Sequence, residues 1–121
     1  MWSTDAAIEK ILTAVATRPH QKIDRMLTRF KELTEDLLPA RARAEGWPIR
    51  FDHCFKRICL DAAFEDVWYR HLNKPAERHI EGEALARASE AAGRILTEGR
   101  PALDHLNRLS LTYRNRTAKI S

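Results

Sequence analysis

His20-Gln21-Lys22-Ile23-Asp24-Arg25-Met26-Leu27-Thr28-Arg29-Phe30-Lys31-Glu32-Leu33-Thr34-Glu35-Asp36-Leu37-Leu38 carries the clearest periodicity in the chain. Ile23, Met26, Leu27, Phe30, Leu33 and Leu37 fall on one side of a helix. Lys22, Arg25 and Arg29 fall on the other. That spacing predicts an amphipathic helix over residues 20–38. Pro39 must kink or restart it, because proline lacks an N–H and its ring collides with the carbonyl four residues back. Ala40 to Ala44 then continues the helix until Gly46, which ends it.

Working outward, the same pattern recurs on both sides. Ile8, Ile11, Leu12 and Val15 mark a helix over residues 4–17, capped by Ser3 or Thr4. Trp47-Pro48-Ile49-Arg50 reads as an extended connector, since the residue before a proline avoids the helical region. Asp52 is the expected N-cap of a helix whose stripe is Phe51, Cys54, Phe55, Ile58 and Ala62, running to about residue 70. His71-Leu72-Asn73-Lys74-Pro75 breaks it. Leu85, Ala88, Ala92, Ile95 and Leu96 define a helix over 82–98, stopped by Gly99. Its alanines suggest close approach to a neighbouring helix, in the same chain or in a second copy forming a homo-oligomer. Pro101 opens a last helix with Leu103, Leu106 and Leu109 or Ser110 inward.

No stretch alternates apolar and polar residues long enough to predict a strand. The expectation is an all-α fold, a compact bundle of about four to five helices. It forms one domain over residues 1–113. Residues 114–121 lack an apolar period and are expected to be a disordered basic tail.

The chain has 121 residues, enough for one core without a metal or disulfide staple. Its 44% apolar and 31% charged residues match an ordinary globular protein rather than a disordered one. No apolar run reaches the ~20 residues that span a bilayer, and Met1 to Asp5 lacks the basic-then-apolar order of a secretion signal. No membrane contact and a cytoplasmic location are expected, with Cys54 and Cys59 as reduced thiols.

The net charge of +4 is mild, so its distribution matters more than its size. Lys22, Arg25 and Arg29 form one basic cluster, and Arg114 and Arg116 belong to another. These are candidate contacts to a polyanion or a protein partner, and otherwise a solvated face. A helix-turn-helix reading fails. With Gly93 as the turn glycine, Gly99 takes the later apolar position, and with Gly99 as the turn glycine, His105 does.

The densest chemistry lies between Phe51 and His71. His53, Arg57 and Asp61 are spaced four apart, so a helix stacks them along one edge. Arg57 could hold an anion and His53 could move a proton, with Trp68 nearby. The plainer reading is a surface charge ladder with an Arg57–Asp61 ion pair. Cys54 sits in an apolar stripe, which suits a small core residue better than a nucleophile. No Cys or His spacing suits zinc, and no phosphate-binding or nucleophile-elbow motif occurs. No metal and no cofactor are therefore expected. Function reads first as a basic helical binding or regulatory module acting through a protein or nucleic-acid partner. A small enzyme or ligand-binding protein centred on His53, Arg57 and Asp61 is the alternative, and a structural oligomerising bundle a third.

Phe51-Asp52-His53-Cys54-Phe55, the later Trp68-Tyr69 pair and Leu106-Asn107-Arg108-Leu109-Ser110 resemble segments of a group of small bacterial proteins of unknown function. The resemblance covers residues 35–114 and implies Asp52, His53, Arg57, Asp61, Trp68 and Asn107 as positions of a site, without giving them an activity. Some members are described as acetyltransferases of the GNAT superfamily. That fold needs a mixed sheet and a glycine-rich loop around a pyrophosphate, and neither is written in this sequence.

Overall fold

A computed structural model describes the backbone of residues 19–120 and the side chains of residues 24–115. The helix expected over residues 4–17 and the side chains of Lys22 and Arg116 lie outside the described residues.

The first described helix, α1 (Pro19–Lys31), passes without interruption through a π-helical segment (Glu32–Leu37) into α2 (Leu38–Glu45). Sequence dictates the widening. Pro39 has no N–H to return to the preceding turn and needs space for its ring. The Leu38 N–H reaches back five residues to the Leu33 carbonyl, the bond that defines a π turn. Buried Thr34 adds a hydroxyl bond to the Phe30 carbonyl at 2.9 Å, a contact that also bends helices. Gly46 closes α2 in the left-handed region at φ 69°, as its position predicts.

Trp47 is buried and meets Phe55 edge-on at 6.5 Å, so it anchors the connector. Helix α3 (Asp52–Phe64) follows, with Phe51 rather than Asp52 at the N-cap. Asp52 sits in the first turn, where its charge suits the helix dipole, and its carboxylate accepts the His53 N–H at 2.8 Å.

Helix α3 ends six residues earlier than the periodicity suggests. Glu65 adopts φ 52°, its N–H donates to the Ala62 carbonyl, and the Asp66 N–H donates to the Asp61 carbonyl. This pair of bonds is a Schellman stop, here built without glycine. A 3-10 turn (Trp68–Arg70) and the short helix α4 (Ala76–His79) carry the chain to α5 (Gly82–Glu98). Gly99 separates α5 from α6 (Arg100–Ile120).

Helix α5 is central and packs on α1, α3 and α6. Ala88, Ala91 and Ala92 are buried there. The alanine face of α5 is thus covered by other helices of the same chain. One contiguous core joins Phe30, Leu38, Phe55, Ile58, Leu85, Ile95 and Leu103. The fold is all-α, as predicted. Helix α6 also runs beyond Tyr113 to Ile120, through the residues read from the sequence as a tail. Among the described residues no helix is long and apolar enough to cross a membrane.

Candidate functional site

Helices α3 and α6 run in the same direction along one seam. Arg57 meets Asn107 and Ser110, and one turn later Asp61 meets Ser110 and Arg114. The local reason is spacing. Arg57 and Asp61 are four apart on α3, and Asn107, Ser110 and Arg114 are three and then four apart on α6. Each set therefore lies on one helical edge.

Asp61 is the centre of this cluster and is 0% exposed. One carboxylate oxygen accepts the Trp68 N–H at 3.0 Å and an Arg114 Nη2 N–H at 3.4 Å. The other accepts the Ser110 hydroxyl at 2.6 Å and the Arg114 Nε N–H at 3.0 Å. Four donors use the acceptor capacity of an ionised carboxylate. Such a group persists in a core only when paired and hydrogen-bonded in this way.

Arg57 has no such partner among the described residues. Its guanidinium donates to the Ser110 hydroxyl at 2.8 Å and to the Asn107 amide oxygen at 2.9 Å, both neutral acceptors. It is half-buried beside Arg114. Burial first, and then the Arg114 charge, push its pKa below the usual arginine value, against smaller opposing effects of Cys54 and Asp61. Arginine nevertheless stays charged at neutral pH. Among the described residues two guanidiniums thus share one carboxylate, leaving one positive charge in excess.

The rim is aromatic and basic. Tyr69 is 43% exposed, with Lys74 Nζ 4.9 Å and the Arg114 guanidinium 5.5 Å from its ring centre. Asp66 lies in the adjoining turn, hydrogen-bonded to the Val67 N–H at 2.8 Å and to His71 Nε2 at 3.1 Å.

The edge read from sequence is therefore brought together in part. Arg57 and Asp61 join one network, but through Ser110 and in the interior, so the cluster is not a surface ladder. Trp68 contributes its backbone N–H rather than its indole. His53 stays outside, with its side chain 77% exposed and stacked on exposed Phe51 at 5.8 Å. Arg114, assigned by its neighbours to a tail, is a core ligand of Asp61. Arg25 is exposed, and Arg29 is ion-paired to Glu32 at 2.8 Å.

Of the positions implied by the resemblance, Arg57, Asp61, Asn107 and the Trp68 backbone meet, while Asp52 and His53 remain at the exposed start of α3. Ser110 was legible as a polar residue in the inward stripe after Leu103 and Leu106. A hydroxyl in such a stripe signals a buried partner.

Chemically, the arrangement holds charge rather than moving it. Ser110 is buried and hydrogen-bonded on both sides, so its hydroxyl is a relay and not an accessible nucleophile. Cys59 is buried, and burial alone pushes its thiol up to about 12. Among the described residues no group of His, Cys, Asp and Glu is placed to hold a metal. No family model matches the chain, and neither a curated protein nor a solved structure is significantly similar to it.

Proposed function

We propose that this chain is a small helical binding module that engages an anionic group of its partner at the α3–α6 seam, through Arg57 and Asn107. One observation carries the reading: a half-buried guanidinium whose partners among the described residues are both neutral. Buried charges are ordinarily compensated. Here the nearest carboxylate is saturated by Arg114, Ser110 and Trp68, which favours an anion from outside.

The basic face of α1 supports binding less well. Arg29 is paired with Glu32, and Asp24, Glu35 and Asp36 interrupt the same region. Proton transfer by His53 has no support from its position, outside the network and beside Asp52.

The test is thermal unfolding in sodium sulfate and in sodium chloride at matched ionic strength. A ligand that binds only the native state raises stability by mass action. The wild-type chain should gain more in sulfate than Arg57→Gln does, and the Arg25→Glu/Arg29→Glu variant should gain as much as wild type. Equal gains for wild type and Arg57→Gln would reject the seam. Loss of the gain in the Arg25/Arg29 variant alone would return the function to α1.

A further inference from the structure

We infer that the group received at the seam is the terminal phosphate of a small-molecule phosphate monoester. This rests on the reading of Arg57 and Asn107 as an anion site and adds the ligand class.

Donor count comes first. A guanidinium has five N–H groups, of which Arg57 gives one to Ser110 and one to Asn107, leaving three. The Asn107 amide accepts through its oxygen, so both its N–H groups are also left. No acceptor among the described residues takes these five donors. Among the described residues the seam therefore presents donors without acceptors, from two helices and in more than one direction. A flat carboxylate answers one plane of such a surface, whereas a tetrahedral terminal phosphate directs oxygens at both side chains.

Charge comes second. Arg57 supplies one positive charge that Asp61 does not neutralise. Lys74 adds another at the rim, linked to Arg114 through Tyr69. The negative charge of Asp66 in the adjoining turn faces His71 and lies near Arg70. An excess of this size matches a dianion better than the single charge of a phosphodiester. A diester would also have to bring a substituent on each side into a half-buried position.

The surface argues for a small carrier over a nucleic acid. On α3 and α5 and in the first turn of α6 the other cations are matched: Lys56 with Glu35 and Glu77, Arg87 with Glu83, Arg94 with Glu98, and Arg100 with Asp104. A phosphate backbone running over α3 and α5 would meet paired charges, where counterion release yields little.

The experiment titrates the full chain with inorganic phosphate, O-phosphoserine, dimethyl phosphate and acetate. NMR of the Arg57 Nε–H and the Asn107 side-chain amide reads the seam, and calorimetry reads affinity. Phosphate and phosphoserine should saturate both signals, at least tenfold more tightly than dimethyl phosphate or acetate. Binding should be stronger at pH 7.5 than at pH 5, because the monoester takes its second charge near pH 6. Arg57→Gln and, independently, Asn107→Asp should each weaken it at least tenfold, the folded state of each being checked by its amide spectrum.

Acetate or dimethyl phosphate binding as tightly as phosphate would overturn the ligand class and leave the anion site standing. No anion moving either signal would overturn both. A 5′-phosphorylated oligonucleotide binding far more tightly than phosphoserine, with a steep salt dependence, would overturn the small-molecule carrier.

Discussion

Ser110 joins Arg57 to Asp61 without the two charged groups touching: its hydroxyl accepts from Arg57 at 2.8 Å and donates to Asp61 at 2.6 Å. One small side chain thus satisfies a half-buried cation and a fully buried anion together. Ser110→Ala removes both bonds and leaves a donor and an acceptor short in a dry place. The expected cost is about 1–3 kcal/mol, the range for a buried group left unsatisfied. Urea unfolding checks it, and a cost near zero would mean that water replaces the hydroxyl.

Arg114 and Asp61 should couple energetically. Breaking a buried ion pair from one side costs about 3–5 kcal/mol, because the partner is left charged and buried. Arg114 is 28% exposed, and Asp61 keeps its Ser110 and Trp68 bonds, so Arg114→Gln should fall at or below the lower end. The Asp61→Asn/Arg114→Gln double variant should cost less than the two single costs together, by at least about 1 kcal/mol. Truncation after Tyr113 should destabilise at least as much as Arg114→Gln, whereas a true tail would be removed without cost.

The contrast between Arg114 and the helices marks how far the sequence can be read. Helices α5 and α6 announce their starts and the stop between them through Gly99, Pro101 and clear apolar stripes, so their inner faces are legible. The π segment is half legible, because Pro39 demands an adjustment without saying which. Arg114 reads as solvated because its neighbours Asn115 and Arg116 are polar. Its true partner is 53 residues earlier on another helix, and no local rule sees that far. The same blindness pairs Asp61 with Arg57 from their spacing, when the carboxylate is taken by α6. The end of α3 is missed for a different reason: Val67 and Trp68 continue an apolar pattern, and the left-handed residue that stops the helix is a glutamate.

Glu65 is therefore a site where stability can be gained. Its φ of 52° is a conformation that a side chain opposes by about 1–2 kcal/mol. Glycine relieves that cost, at about 0.5–1 kcal/mol of added backbone entropy in the unfolded chain. Glu65→Gly should raise stability by about 0.5–1 kcal/mol, measured as the urea midpoint at an unchanged m-value. Glu65→Val, β-branched and at the same φ, should lower it.

Asp66 should make the turn after α3 acid-sensitive. The Val67 N–H first, and then the His71 ring, hold its carboxyl below the usual carboxylate range. The unfolded chain then takes up the proton first. The stabilisation is complete above the unfolded value of about 3.9 and is lost as pH falls through the folded value. Asp66→Asn should remove this contribution, so its urea midpoint should fall less than that of wild type between pH 5 and pH 3. Parallel curves for the two proteins would show that the turn is not acid-linked.

The two thiols should separate cleanly. Cys59 is fully buried among apolar side chains, and burial pushes it up to about 12, so at pH 8 its thiolate is scarce and shielded. Cys54 lies one turn earlier on α3 and is only partly buried. An aromatic disulfide reagent at pH 8 should therefore modify one thiol of the native chain promptly and the second only on unfolding. Cys54→Ser should abolish the fast phase and leave the slow one. If the fast phase survives in that variant, Cys59 is reached from the native state, and the packing of α3 against α5 opens far more readily than a buried core permits.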